Sequence, residues 1–522
     1  MKNKIKIKFP VLIMLLLSFA VFSCKEKPQK ETEPNDSFST ANKLEISKPL
    51  EGFFNNPHDK DFYFIEVLSD SILDISLSEV KGVNHAFQIW KKEEVPVLLK
   101  TVDDNRKSSP ERIANFYASH GTYFIVVLHG DRDPQKENSE NPYILKITKR
   151  DFSTEEMEPN DTKETASPIT PGIEIKGYFS PALNRMKTDK EFMYREDDWF
   201  VFEKKSDTSK KEILNISLSG VSGVNSILYL YDSEGNEIAS ADENAAGSGE
   251  SILGVGLTDE GKYYILVTAV GYSFNHDEPY TLKASYQEYD PLFEVEPNNT
   301  FAAANDISNG ELKGRINNKK DTDMFYYKAS QSQWIYRVEL APAGKSDLKF
   351  TLYNSDKKKI AEVNNTGTGE TEVHPNFYSS GNFYISVELK TLPENISDTE
   401  YTLTVKPFED IKNQEIEPND SKNEATRITS EEIRGFISKK GDKDYFLLEY
   451  NARAKNNYEI IGVKGGEIKV SVTDPLGYII KSVNVRTDNK IKISEIIDKK
   501  GYIIIESVVE NYNSGYVIRF GR

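Results

Sequence analysis

One stretch of seven residues limits what this chain can fold into, because it occurs four times. Glu31-Thr32-Glu33-Pro34-Asn35-Asp36-Ser37 returns as Glu156-Met157-Glu158-Pro159-Asn160-Asp161-Thr162, as Glu294-Val295-Glu296-Pro297-Asn298-Asn299-Thr300 and as Glu415-Ile416-Glu417-Pro418-Asn419-Asp420-Ser421. An alanine follows each copy at the same offset: Ala41, Ala166, Ala304 and Ala425. The second glutamates stand 125, 138 and 121 residues apart. That is far longer than the roughly 20–50 residues of a solenoid repeat and suits a whole small domain. The chain reads as a tandem array of four units, each long enough to bury a core of its own.

Between the copies the same signals recur in one order. In the first unit Asp59-Lys60-Asp61 opens the aromatic run 62–67, segments 72–77 and 86–90 alternate apolar with polar residues, Gly121 leads the run 122–127, and 142–147 closes the unit. The acidic pair before an aromatic strand returns as Glu196 and Asp198, Asp321 and Asp323, and Asp442 and Asp444. The glycine-led strand returns at Gly261, Gly381 and Gly501, and the closing strand around Tyr280, Tyr401 and Tyr516. Short period-two segments separated by Gly, Asn and Asp, with no long period-3.6 segment, predict an all-β protein of four tandem antiparallel β-sandwiches. Their bounds are 31–150, 151–290, 291–410 and 411–522. Two insertions in the second unit, 180–195 and 241–249, read as surface loops. Short joins near 151–155, 288–292 and 408–413 predict a semi-rigid array.

The first 23 residues are a targeting segment: Lys2, Lys4, Lys6 and Lys8 precede an apolar run from Phe9 to Ser23 that is short for a membrane span. Cys24 is the only cysteine, so no internal disulfide forms. Its place after Val21-Phe22-Ser23 resembles the lipobox of bacterial lipoproteins, although Phe22 is larger than the residue usual there. The resemblance implies that residues 1–23 are removed, that Cys24 carries lipid, and that 24–30 is a tether to a membrane. The protein is then exported and anchored to the cell envelope, at the outer membrane or cell surface. With Asp+Glu at 83 against Lys+Arg at 66, the chain repels nucleic acid and attracts cations.

The repeated motif gathers oxygens. In extended chain Glu31 and Glu33 point the same way, Pro34 fixes the backbone, and Asn35 and Asp36 add side-chain oxygens at a turn. Asp59 and Asp61, again two apart, sit where a strand begins. A hard cation such as calcium takes about six to eight oxygens, and this set can supply them. A second reading is local: Asp36 or Ser37 caps a short helical turn and the acids are solvated. The residues by themselves leave both readings open.

The whole order, Glu-x-Glu-Pro-Asn-Asp-Ser, alanine, glycine, Asp-x-Asp-aromatic, Gly-x-Tyr-Tyr and a final Tyr-x-Leu, resembles the bacterial pre-peptidase C-terminal domain. A relative of that family is the collagen-binding domain of secreted bacterial collagenases. The resemblance covers all four units and implies jelly-roll-like sandwiches, with calcium held between the amino-terminal segment and the loop before the aromatic strand. It implies as ligands Glu31, Glu33, Asn35, Asp36, Asp59 and Asp61 in the first unit, with Tyr143 nearby through its backbone. The matching residues are Glu156, Glu158, Asn160, Asp161, Glu196 and Asp198 in the second, and Glu294, Glu296, Asn298, Asp321 and Asp323 in the third. The fourth has Glu415, Glu417, Asn419, Asp420, Asp442 and Asp444. Asn299 stands in the third unit where the others have aspartate, which predicts a weaker site there. Leu128, Thr268 and Glu388 follow the glycine-led strands where the collagen-gripping face is rich in tyrosine, and this departure weakens the case for collagen.

Enzyme signatures are missing from the sequence. The six histidines form no His-Glu-x-x-His, there is no Gly-x-Ser-x-Gly, and Gly256 to Lys262 mimics a phosphate loop but continues with Tyr263. The acidic pairs recur in every unit, which favours a structural role over glycosidase chemistry. The expectation is a non-enzymatic envelope lipoprotein used for adhesion or for binding a matrix protein, a polysaccharide or another envelope protein. A spacer or accessory subunit without a ligand is the alternative.

Overall fold

The structure is a computed structural model. It describes residues 27–103, 107–130, 137–150, 154–180, 197–205, 212–271, 273–330, 333–391, 399–408, 412–450, 454–497 and 499–521. The targeting segment, Cys24, Glu196 and the insertion at 181–195 lie outside the described residues. The chain divides into two compact units, Met1–Arg150 and Asp151–Arg522.

Among the described residues the first unit has ten strands: β1 Gln29–Lys30, β2 Asn42–Lys43, β3 Leu50–Phe54, β4 Lys60–Val67, β5 Ser71–Leu77, β6 His85–Lys91, β7 Val97–Val102, β8 Glu111–Ala118, β9 Gly121–His129 and β10 Asn138–Arg150. They form two five-stranded sheets, in the orders β1-β3-β10-β5-β8 and β2-β4-β9-β6-β7. Alternation decides which side chains go inside. Along β4, Asp61, Tyr63, Ile65 and Val67 are buried while the residues between them face outward. Tyr63, Ile65, Phe87, Ile89, Ile125, Val127, Leu145 and Ile147 from the two inner faces make one core. Each large apolar side chain buried there contributes about 1.5–3 kcal/mol.

The second unit repeats the plan three times, each time as a five-stranded and a four-stranded sheet around a separate core. The counterparts of β4 are Asp198–Lys204, Asp323–Tyr327 and Lys443–Glu449, and those of β9 are Gly261–Ala269, Phe383–Thr391 and Lys500–Val509. Those of β10 are Asn275–Glu288, Glu400–Pro407 and Tyr516–Gly521. The 242–249 part of the expected 241–249 loop is a loop, exposed at Ala245 and Ala246, whereas Ala241 ends the strand Glu237–Ala241 and is buried in the core.

The sheets are not wholly antiparallel. β1 runs parallel to β3 and β2 parallel to β4. In the later repeats Ser167–Pro168, Asn305–Asp306 and Thr426–Arg427 pair parallel with the counterparts of β4. Single parallel bridges, Glu155 with Lys176, Phe293 with Lys313 and Gln414 with Arg434, stand where β1 is in the first repeat. The reason is the path of the repeated motif. It leaves the edge of one sheet just before its first glutamate and joins the edge of the other just after its alanine. The motif therefore straddles the open mouth between the sheets, and this crossing positions the site.

Candidate metal centre

Three local devices aim the motif into that mouth. The residue between the two glutamates is pinned by the one after the alanine: Thr32 N donates to Asn42 Oδ1, Met157 N to Ser167 Oγ, Val295 N to Asn305 Oδ1 and Ile416 N to Thr426 Oγ1. The second glutamate folds back on its own chain, accepting from the amide of Asn35, Asn160, Asn298 or Asn419 at 2.9–3.2 Å. The first accepts from the facing strand, at Phe53 N, Tyr178 N, Arg315 N or Phe436 N. The intervening Glu–Pro bonds are cis in all four copies.

The result is one trio of carboxylates per repeat: Glu31, Glu33 and Asp61; Glu156, Glu158 and Asp198; Glu294, Glu296 and Asp323; Glu415, Glu417 and Asp444. Within each trio one oxygen from every residue lies within 4.8 Å of the others. In the last three repeats both glutamates and the aspartate are buried, whereas in the first Glu31 is half-buried and Glu33 exposed.

The closing-strand tyrosine completes the trio, through its hydroxyl and not through its backbone. Tyr143 donates to Asp61 Oδ2 at 2.5 Å, Tyr280 to Asp198 Oδ2 at 2.6 Å and Tyr516 to Asp444 Oδ2 at 2.6 Å, and Tyr401 bonds Asp323 in the same way. Each hydroxyl also lies 2.7–3.4 Å from the first glutamate of its repeat. Opposite each tyrosine stands a glycine, Gly52, Gly177, Gly314 or Gly435. A Cβ at any of these would overlap the phenol ring and the glutamate, so only glycine lets the ring lie across the strand. A tyrosine that reads as a strand former is thus a site residue. The sequence signal for it is the glycine that shares its register.

The other expected ligands lie around the trio. Asn35, Asn160, Asn298 and Asn419 are fully buried at its edge. Asp59, Asp321 and Asp442 are buried but accept from the loop amides of Asn55, Asn317 and Ser438. Asp36 and Asp161 are exposed, and Asp420 contacts Lys439. Asn299 accepts from Thr322 N at 3.1 Å, so the substitution in the third repeat changes the charge beside the trio and not within it. The motif also begins a short turn, as the local reading expects, with Thr40 N on Ser37 O and its equivalents at 3.0–3.1 Å. In the last three repeats, however, the glutamates are not solvated.

Asn298 Nδ2 donates to Glu294 Oε2 and Asn419 Nδ2 to Glu415 Oε2, at 3.0 and 3.3 Å. This turns each Oδ1 into the cluster, where Asn298, Asn419, Asp323 and Asp444 all have an Oδ1 without a hydrogen-bond partner. In the first repeat the Asn35 oxygen likewise faces Asp61 and Glu33, which turning the amide would reconcile with two 3.0 Å bonds. In the third and fourth repeats these buried oxygens, with no nitrogen or sulfur among them, fit a hard divalent cation.

Without such a cation, burial favours the protonated form of several of these acids. Burial, opposed by the Tyr143 hydrogen bond and reinforced by the neighbouring carboxylates, pushes Asp61 up to about 9. Burial and then the Asp321 charge push Glu296 up to about 8, and burial and then Asp442 do the same to Glu417. Asp323 and Asp444 are also held well above the ordinary carboxyl range, by burial first.

Residues 198–269 match the family model of the bacterial pre-peptidase C-terminal domain. The matched residues lie within the second repeat. The match begins at the trio aspartate and ends with the glycine-led strand, so Glu156, Glu158 and Tyr280 lie outside it. Among solved structures, the pre-peptidase C-terminal domain of a collagenase from Bacillus anthracis is 19% identical, covering 23% of this chain and 100% of its own, with a TM-score of 0.18. A triple jelly-roll turret protein of an archaeal virus is 9% identical over 66% of this chain and 83% of its own, with a TM-score of 0.17. A biofilm-associated protein BSP domain is 10% identical over 92% and 95%, with a TM-score of 0.14.

The raised acids predict how stability follows pH in chelator. The folded acids keep protons up to about pH 8–9 that the unfolded chain releases near about pH 4. The cation-free protein therefore loses stability as pH rises through that interval. Thermal melts in EDTA between these limits should show the melting temperature falling with pH, and a flat or rising profile would contradict the cluster.

Proposed function

We propose that this is a non-enzymatic, lipid-anchored envelope protein whose sandwiches each hold a calcium ion and present a binding face to an extracellular ligand. The observation that carries this reading is the fourfold trio of carboxylates, joined in the third and fourth repeats by an unpartnered asparagine oxygen. Glu31, Glu33, Asn35 and Asp61 and their counterparts would hold the ion, which supplies the positive charge that the buried acids lack. Removing the protons and replacing them with one divalent cation converts a destabilising cluster into a crosslink between the motif and both sheets.

Surface chemistry favours binding over a bare spacer. The outer face of the β4 sheet carries Phe62, Trp90 and Phe124, packed around Phe38 at 4.9–5.5 Å between ring centres. Trp199, Tyr229 and Tyr231 occupy the same face in the second repeat, and Tyr326, Tyr353 and Tyr384 in the third. Aromatic platforms of this kind, half-buried except at buried Phe124, suit sugar rings or protein side chains. The spacer alternative draws support from main-chain bonds between repeats in Asp151–Arg522. Anchoring rests on Cys24 and its lipobox-like flank.

Calcium at about 1 mM should raise the melting temperature of the full chain and EDTA should reverse the rise. Asp61→Ala should remove one component of that response in calorimetry, and an unchanged response would show that Asp61 is no ligand. On matrix-protein and glycan arrays the chain should bind in calcium and lose binding with Trp90→Ala; silence on both arrays would favour the spacer. Metabolic labelling with a fatty acid should fail on Cys24→Ser, and equal labelling would remove the lipid anchor.

A further inference from the structure

The trios of the third and fourth repeats are not self-contained. Glu296 runs beside Val255 of the second repeat as a parallel bridge. Its N donates to Gly254 O at 2.9 Å, and Gly256 N donates to Glu296 O at 2.8 Å. Asn317 Nδ2, which donates 2.8 Å to Glu296 Oε1, also reaches Leu253 O at 3.5 Å. Lys319 meets Glu243 of the second repeat through both its backbone N and its Nζ, at 3.2 and 3.4 Å. A cavity of about 40 Å³ lies at this junction, walled by Ser240 and Ser251 on one side and by Glu296 and Asp321 on the other. In the fourth repeat, fully buried Asn376 of the third donates to Glu415 Oε1 at 2.7 Å. Asn365 Nδ2 donates to Ser438 O at 3.2 Å, on the loop that holds Asp442.

An irregular edge strand makes the contacts to the glutamates. Glu250–Val255 shifts register against Glu212–Leu218 at Leu253 and Gly254, where Gly254 has φ +79°. Glu372–Ser379 shifts against Trp334–Pro342 at Pro375 and Asn376. A bulge leaves residues of an edge strand unpaired and turned out of the ladder. Here those residues bond the first or second glutamate of the next repeat. The corresponding strand of the fourth repeat, Lys490–Ile497, pairs with Ala454–Ile461 without a shift.

We propose that the third and fourth cation sites are junction sites, each completed by the bulged edge strand of the preceding repeat, so that a bound divalent ion locks neighbouring sandwiches together. Asn376 is then a positioning residue for a site in another repeat, and the Gly256 amide reports on a site to which it gives no ligand. The inference rests on the cation reading. The unpartnered Oδ1 atoms of Asp323 and Asp444 aim at the same points independently of the junction.

Two measurements on the full chain separate the claims. Calorimetric titration with calcium should show binding, and Asn376→Ala should weaken one site by about tenfold while leaving the rest, as second-layer partners of metal ligands do. Hydrogen exchange of the wild-type chain should slow at Gly256 and Glu296 in calcium and quicken in EGTA, a readout that needs no variant to fold. Calcium binding with unchanged exchange at Gly256, or an Asn376→Ala isotherm identical to wild type, would overturn the junction claim and leave the cation reading standing. No calcium isotherm in the wild-type chain would overturn the cation reading and the junction claim with it.

Discussion

Like charges at the mouth of each sandwich are the constraint around which the rest is arranged. Carboxylates within 4.8 Å of one another repel by about 3.5 kcal/mol per ionised pair at an effective dielectric near 20, or about 10 kcal/mol for a trio. That is as large as the whole stability of an ordinary domain, about 5–15 kcal/mol. Three buried charges therefore require protons or a cation. The flanking structure keeps the acids together in spite of this. Each first glutamate is bonded by a strand amide, each second by the asparagine amide, and each aspartate by a tyrosine hydroxyl. Since these bonds come from both sheets and from the motif, the neutralised cluster ties together three parts of the chain that are remote in sequence.

Within this shared frame the repeats differ in how the charge is balanced. The first adds a second hydroxyl, Tyr63, 2.9 Å from Glu31 Oε2, where the others carry Phe200, Phe325 and Phe446. The fourth places Lys439 against Asp420 and 3.9 Å from Asp442 Oδ1, at a position held by Asn56 in the first repeat and Asn318 in the third. An ammonium group there supplies part of the counter-charge from the protein itself. The Lys439 charge duly opposes the upward shifts of Glu417 and Asp442.

Much of this is legible in the sequence, for identifiable reasons. Period-two alternation is enough to find the strands, and the same rule puts Glu31 and Glu33 on one side of the chain. Register is harder. Which of Asp59 and Asp61 joins the trio depends on β4 pairing with β9 so that Asp61 lies opposite Val127, and the spacing alone treats the two acids alike. Tyr143 is more than eighty residues from Asp61, and only its pairing with Gly52 shows that its hydroxyl reaches the cluster. The parallel edges are also hidden, because two-residue strands have no periodicity to read. The bonds that the bulge at Gly254 makes to the next repeat are announced by no pattern within a single repeat.

The residue three places beyond each motif asparagine ties the site to the outer face. It is Phe38, Lys163, Phe301 or Lys422, alternately a ring and an ammonium group. Phe38 sits 4.9 Å from Phe124, Lys163 4.5 Å from the ring of Tyr264, Phe301 5.1 Å from Tyr384 and Lys422 5.9 Å from Tyr502. Edge-on rings and cations over rings satisfy the same negative π-face, which explains why two such different residues occupy one position. Each covers the aromatic residue on the glycine-led strand, and each stands on the short turn that follows the buried asparagine. Order at the carboxylate trio and order on the aromatic face are therefore held by the same few residues of chain.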